Sequence, residues 1–311
     1  MRIALVDPSS TTRSLVASLL EARGHEVVAF ADEHPALHRI EADPLIEALI
    51  TGDELKSMSG LELCWEARLL ATCRRPIYVL FMSAEGGHRT LIEALDSGAD
   101  DFIGKPPLAE ELYARLRSAE RIGSMQRELI RLATTDPLTG VCNRRGFFEQ
   151  ATEACERAVS SGRLSAIILD IDNFKHINDA YGHDAGDEAI RACARTAAMK
   201  EGLVGRLGGD EFAMLLEHRT LPQAIEIAED LRLRLAERPF ETSKGAITLT
   251  CSIGVSEGGP GDTVDELLRR ADVALYDAKI AGRNRVVGAH PALLAAVGSD
   301  LSHFGTRVSA R

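Results

Sequence analysis

The chain has 311 residues, 45% of them hydrophobic, and a formal net charge of −11. That length suits two globular domains. The negative balance argues against a general nucleic-acid or anionic-membrane binder, while leaving room for a local basic site that takes one phosphorylated ligand. Six cysteines, at 64, 73, 142, 155, 193 and 251, show no CxxC or Cys/His metal spacing, and are expected to be reduced, partly buried thiols. No apolar run reaches the ~18 residues of a membrane span. The opening MRIALVDPSS is too short for a signal-peptide core, so a cytoplasmic location is expected.

Residues 1–121 alternate short apolar runs with amphipathic stretches. Strands are predicted at 3–6, 26–30, 48–51, 77–82 and 101–103, with helical periods at 12–23, 61–70, 89–97 and 108–117 between and after them. Such alternation implies an α/β, doubly wound parallel sheet whose functional edge lies at the strand C-termini. From 108 to 133 only Gly123 disfavours helix. Ile122, Met125, Leu129 and Leu132 step by three, four and three, the spacing of a coiled-coil seam. A helix packed on its own domain could carry so short a pattern; a stalk at 108–134 that pairs two chains is the preferred reading.

The second half, 135–289, predicts a strand at 164–172, an alanine-rich helix at 184–200 and a hairpin within 203–216. A helix at 221–237, a strand at 246–255, a helix at 264–281 and a short strand at 285–287 follow. A mixed sheet with helices on its faces makes this an α+β domain. The tail, 290–311, is expected to form a short helix and a disordered end.

The hairpin reads LVGRLGGDEFAMLL. Gly208 and Gly209 are expected at the two central positions of its turn, where positive φ is required. That leaves Asp210 and Glu211 side by side at its mouth, two carboxylates that disfavour each other's ionisation unless a divalent cation shares them. Three further segments carry chemistry. LDIDNFKHINDAYGHDAGDEAI (169–190) is expected to run from a buried strand, ending at Asp170, into a polar loop with Lys175, Asn178, His183 and Asp187. YDAKIAGRNRV (276–286) sets Lys279 and Arg283 one helical turn apart, and DPLTGVCNRR (136–145) opens the domain with a proline-led turn. Together these suit a nucleoside triphosphate. Carboxylates hold Mg²⁺, Lys and Arg neutralise phosphates, and Asn with Asp can read a guanine edge. No G-x-x-x-x-G-K-[ST] loop is present, so a P-loop enzyme is excluded.

With DIDNFKHIND and RLGGDEF in that order, 135–289 resembles the nucleotidyl-cyclase-like GGDEF domain of diguanylate cyclases, which join two GTP molecules into cyclic di-GMP. The resemblance implies that Asp170 and Asp210 ligate two Mg²⁺ (or Mn²⁺) ions per active site, with the Ile171 carbonyl as a further ligand and Glu211 beside the metals. Asp210 or Glu211 would help deprotonate the ribose 3′-hydroxyl. Asn178 and Asp187 would bind guanine with His183 close by. Phe174 and Lys175 would face the phosphates, and Lys279 and Arg283 would hold the terminal ones. Each domain holds one GTP, so a homodimer is implied. Many family members carry an Arg-x-x-Asp product-inhibition site; Met199 and Gly202 stand at its ends here, so none is expected. The rival reading is a non-catalytic regulator that binds GTP or cyclic di-GMP and acts by contact.

Residues 1–121 resemble the flavodoxin-like receiver domain of response regulators through ALVDPSSTTR, MSGLEL (58–63), FMSAEGG (81–87) and DDFIGKPP. Ser83 and Lys105 match the hydroxyl and lysine that contact the phosphoryl group. Of the acidic pair, Asp7 remains and Pro8 takes the second place. Counting back from Gly60, the phospho-acceptor position falls on Gly52, with Asp53 one place later. Two of three carboxylates are thus missing from the Mg²⁺ site that phosphoryl transfer needs. A one-residue slip along a strand turns a side chain to the other face, so Asp53 is expected to face away unless a loop rearrangement brings it back. The receiver is read as degenerate, a pairing and interaction module that a sensor kinase or another signalling protein could still address.

Overall fold

A computed structural model describes residues 1–71, 75–84, 88–161, 163–237, 239–242, 245–259 and 261–289. The expectations for the 290–311 tail, for Cys73 and for positions 85–87 lie outside these residues. The chain divides into two compact units between Arg131 and Leu132.

In the first unit a parallel sheet is formed by β1 (Arg2–Val6), β2 (Glu26–Phe30), β3 (Ile46–Gly52), β4 (Tyr78–Ser83) and β5 (Asp101–Gly104), with β1, β3 and β4 largely buried and the edge strands β2 and β5 only partly. Its order is β2-β1-β3-β4-β5, the flavodoxin-like arrangement expected. Helices α1 (Ser10–Glu21), α2 (Glu33–Ala42), α3 (Gly60–Leu70), α4 (His88–Asp96) and α5 (Ala109–Thr134) separate and follow the strands. Side chains alternate along β1: Ala4 and Val6 enter one core with α2 and α3, Ile3 and Leu5 the other with α1 and α5. Helix α2 was not among the helices expected. Its Pro35 sits in the first turn, where no intrahelical donor is needed. Helix α5 buries Leu112, Leu116 and Ala119 and runs on through Gly123. In the second half of α5, Ile122, Met125, Leu129 and Leu132 are exposed.

The second unit contains β6 (Cys142–Asn143), α6 (Arg144–Ser161), β7 (Leu164–Ile171), α7 (Phe174–Tyr181), α8 (His183–Ala198), β8 (Leu203–Gly208), β9 (Glu211–Glu217) and α9 (Leu221–Glu237). The hairpin strands β10 (Phe240–Thr242) and β11 (Gly245–Ile247), then β12 (Cys251–Glu257), α10 (Val264–Ile280) and β13 (Val286–Gly288), complete it. Six strands form a mixed sheet, β13-β12-β7-β9-β8-β6, antiparallel at its centre and parallel at both edges. The α+β expectation holds. Ile167, Leu169 and Ile171 of β7 pack on the side of α8 and α9, and Ala166 and Ile168 on the side of α6 and α10. A capping box between Thr263 and Glu266 starts α10. Gly254 lets that helix lie close on β12, because a Cβ there would fall 2.0 Å from the Ala271 carbonyl oxygen.

Three local expectations are corrected. The segment after β7 is helix α7, not a loop. The predicted strand at 246–255 breaks at 248–250 into β11 and β12. The turn between β8 and β9 has Gly209 and Asp210, not Gly208 and Gly209, at its centre, because Gly208 pairs with Glu211 after a register shift past Arg206. Gly209 alone of the three has positive φ, +51°.

Candidate active site

Asp170 and Glu211 are register partners on β7 and β9, and Ser252 of β12 flanks Asp170 on its other side. In phase with Ala166 and Ile168, Asp170 belongs to the sheet face that α10 covers. The Ile171 amide donates to the Asp210 carbonyl at 3.3 Å, joining the tight turn to the end of β7. Three carboxylates are therefore gathered at one edge of two adjacent strands.

From α10, Lys279 Nζ reaches Asp170 Oδ2 at 2.8 Å. Burial raises the Asp170 carboxyl above its ordinary value, the Lys279 contact opposes it, and the charges of Asp210 and Asp172 add to it. Burial likewise raises Glu211, with help from Asp272 and Asp170 and against Lys279 and Arg144. Among the described residues no lysine or arginine pairs with Asp210 or Glu211. Hard oxygen donors in excess of nearby positive charge fit a divalent magnesium-type ion, and Lys279 already places a cation on the first of them. Among the described residues no three acidic, His or Cys side chains are yet drawn together as a finished metal cage.

Arg283 is exposed, just beyond α10, in a turn where Gly282, Arg283 and Asn284 all have positive φ. Phe174 and Asn178 on α7 meet α8 at Gly186, where a Cβ would lie 1.9 Å from Asn178 Oδ1 and 3.2 Å from the Phe174 ring. Asp187 follows that glycine and is half-buried; Lys175 and His183 are exposed. The fold thus brings Asp170, Asp210, Glu211 and Lys279 together, and Phe174, Asn178 and Asp187 at a second junction.

A model of the "Diguanylate cyclase, GGDEF domain" matches residues 133–285, and one of the "Response regulator receiver domain" matches 3–117. The response regulator PleD of Caulobacter vibrioides is 33% identical over 301 residues, 92% of this chain and 65% of that protein. The chain therefore spans a little under two thirds of that relative's length. Diguanylate cyclase DgcM of Escherichia coli K12 is 34% identical over 237 residues, 72% of this chain and 57% of DgcM. The crystal structure of the coiled coil and GGDEF domain of DgcB from Caulobacter crescentus, in complex with c-di-GMP, superposes with a TM-score of 0.54 at 33% identity, covering 58% of this chain and 98% of that one. The chain belongs to the GGDEF diguanylate cyclase family.

Within this GGDEF unit, three contributors escaped sequence reading. Arg206 Nε and Nη2 donate to the Gly209 carbonyl at 2.9 and 2.7 Å, while its Nη1 reaches Asp136 Oδ2 at 3.1 Å. It anchors the acidic turn to the DPLTG turn; both segments were legible as motifs, but nothing in a linear reading joins residues 70 apart. Asp272, seven residues before Lys279, adds negative charge near Glu211. Gly186 makes room for Asn178. Met199 is exposed and Gly202 has a φ of +128°.

In the receiver unit, buried Asp7 pairs through Oδ2 with Lys105 Nζ at 2.7 Å and accepts from the Ser9 amide through Oδ1 at 2.8 Å. Gly52 ends β3, and a Cβ there would sit 2.6 Å from Asp7 Oδ2. Asp53 does not face away as expected. It lies one residue past the strand, where alternation no longer binds it, and Ser83 Oγ donates to its Oδ2 at 2.7 Å. Burial pushes the Asp53 carboxyl up, but the Ser83 hydroxyl, the Glu54 amide and Lys105 outweigh it and hold it below the usual range.

Proposed function

We propose that this protein condenses two GTP molecules into cyclic di-GMP and two pyrophosphates, working as a homodimer, with a receiver domain that has lost phosphoryl-transfer chemistry. The functional division proposed is receiver 1–121, stalk 108–134 and cyclase 135–289. The observation that carries the reading is the pairing of Asp170 with Glu211 across β7 and β9, beside the Asp210 turn, under the Lys279 ammonium.

Asp170, Asp210, Glu211 and the Ile171 carbonyl would hold magnesium or manganese, two ions per site. Bound there, the metal would neutralise phosphate charge and lower the pKa of the ribose 3′-hydroxyl. Asn178 and Asp187 bind guanine, with His183 at the rim, and Phe174 faces the phosphates. Lys279 and Arg283 grip the terminal phosphates, and Lys175 stabilises the charge that builds at the reacting phosphoryl group. Glu211 or Asp210 takes the proton of the 3′-hydroxyl. The 3′-oxygen of each GTP attacks the α-phosphorus of the other, the bond to the β-phosphate oxygen breaks, and pyrophosphate leaves. Two domains must face each other for both bonds to form. The exposed Ile122, Met125, Leu129 and Leu132 stripe supports pairing through the stalk, which raises the effective concentration of the second domain to order millimolar.

The full chain incubated with Mg²⁺ and GTP should yield cyclic di-GMP on a chromatogram, and Asp210→Ala should abolish it while leaving the circular-dichroism melt unchanged. Low-micromolar added product should leave the progress curve unbent, since Met199 and Gly202 offer guanine neither guanidinium nor carboxylate. A dimeric, folded preparation that releases no pyrophosphate overturns the reading.

A further inference from the structure

Asp172 has no part in the roles above, yet it is the acid that ties the two halves of the candidate site together. It is only 5% exposed. Its Oδ1 accepts from the Ser252 hydroxyl at 2.7 Å, and its Oδ2 accepts from the Asn284 backbone amide at 3.0 Å, a residue 112 positions away. Its own amide donates to the Thr250 carbonyl at 2.9 Å. Among the described residues no cation pairs with it.

The far end of this clamp is the turn that presents Arg283. Arg283 and Asn284 adopt φ of +61° and +44°, left-handed conformations that side-chain-bearing residues hold only when their surroundings impose them. Four contacts do so. Arg283 N donates to the Ala278 carbonyl at 3.1 Å, Arg232 Nη1 to Asn284 Oδ1 at 3.0 Å, and Ile253 N to the Arg285 carbonyl at 2.9 Å. The fourth is the Asp172 carboxylate, a buried acceptor for the Asn284 amide, and a carboxylate accepts more strongly than a neutral oxygen. The near end of the clamp is the residue that follows Ile171, two beyond Asp170.

We propose that Asp172 is a positioning residue: its buried carboxylate fixes the Arg283 turn relative to the Asp170 end of β7, and thereby sets the distance between the terminal-phosphate grip and the acidic cluster. The inference rests on the diguanylate cyclase reading and adds a residue that touches no reacting atom. A misplacement of an ångström at such a clamp costs about tenfold to a hundredfold in productive binding.

The test is calorimetric binding, with Mg²⁺, of 3′-deoxy-GTP, which cannot react, against 3′-deoxy-GMP, which lacks the phosphates that Arg283 would hold. Asp172→Ala should reduce the preference for triphosphate over monophosphate by about tenfold or more, and Ser252→Ala, a milder change that frees one carboxylate oxygen, by a smaller factor. In an Arg283→Ala background neither change should lower the preference further, because both act through Arg283. Asp172→Asn should restore the wild-type ratio: its amide oxygen still accepts from Asn284 and its amide nitrogen donates to the Ser252 hydroxyl. A merely structural acid would lower melting temperature and leave the ratio alone. If Asp172→Ala does not fold, Ser252→Ala carries the test. An unchanged ratio in the folded variants, or full additivity with Arg283→Ala, overturns the inference. A wild-type chain that shows no triphosphate preference instead overturns the cyclase reading on which it rests.

Discussion

Each unit contains an aspartate at or just past the C-terminal end of a strand that meets a lysine, Asp7 fully buried and Asp170 half-buried, and the two pairs behave differently. In the receiver, Asp7 is fully buried against Lys105 at 2.7 Å, and the neighbouring Asp53 is satisfied by Ser83 and held below the usual carboxylate range, burial notwithstanding. In the GGDEF unit, Asp170 meets Lys279 at a similar 2.8 Å, yet burial lifts both Asp170 and Glu211, and Asp210 stands beside them. Linkage runs in opposite directions. Asp53 stabilises its fold above its ordinary value and loses that contribution as pH falls through the depressed one. Asp170 and Glu211 favour their fold below the ordinary range, and that contribution is lost as pH rises through the raised values. The receiver cluster has been closed by its own residues. The GGDEF cluster retains negative charge that its own residues do not neutralise, which is the condition for recruiting a cation.

Between the two lysine–aspartate pairs, the largest expected effect comes from removing the lysine on the open side. Lys279→Met keeps the apolar stem of the side chain and deletes its charge, so α10 should stay packed. Losing one phosphate-directed donor should lower kcat/KM for GTP roughly 100-fold, the scale of a single transition-state contact. Steady-state kinetics at saturating Mg²⁺ measure it. Turnover equal to wild type would show that Lys279 serves only to balance Asp170, making the two lysines equivalent after all.

Much of this comparison was legible in the sequence. Short apolar runs set between stretches of helical period announced both sheets, because strands buried on both faces and amphipathic helices leave strong linear signals. What failed was local. The stretch KHIND reads as a polar loop because Ile177, the one buried residue of α7, is flanked on both sides by pairs of polar residues. The glycine pair in GGDEF favoured a turn centred on itself, and a register shift past Arg206, invisible in one dimension, moved it by one residue. Asp53 was assigned to the wrong face because strand alternation was extended one residue past the end of β3. Arg206 and Asp172 went unread because their partners lie 70 and 112 residues away.

A smaller effect is expected on the closed side. On the proposed reading Gly52 takes the acceptor's position, and the space there is filled: an added Cβ would approach Asp7 Oδ2 to 2.6 Å and Lys105 Nζ to 3.6 Å. Asp7 is too short and too buried to yield freely. Gly52→Ala should therefore destabilise the receiver unit by about 1–3 kcal/mol, as overpacking does, measured as an earlier thermal transition in the full chain. An unchanged melt would mean that the Asp7–Lys105 pair is loose, and that the receiver pocket is open in the way the GGDEF cluster is.

The smallest effect should come from offering the receiver a phosphoryl group. Phosphoryl transfer in such a pocket needs an acceptor carboxylate and an acidic pair sharing Mg²⁺. Here Pro8 supplies no charge, Lys105 occupies Asp7, and Asp53 spends one oxygen on Ser83 and the other on the Glu54 amide at 2.9 Å. Placing a metal and a phosphoryl donor there would break the Asp7–Lys105 ion pair and both hydrogen bonds of Asp53. Small-molecule phosphodonor or beryllofluoride should leave both the intact mass and the rate of cyclic di-GMP formation unchanged. Stoichiometric modification of Asp53 accompanied by activation would reverse the assignment: the hydrogen bond to Ser83 would then be the resting state of a displaced but working acceptor, and the two lysine–aspartate pairs would both be switches.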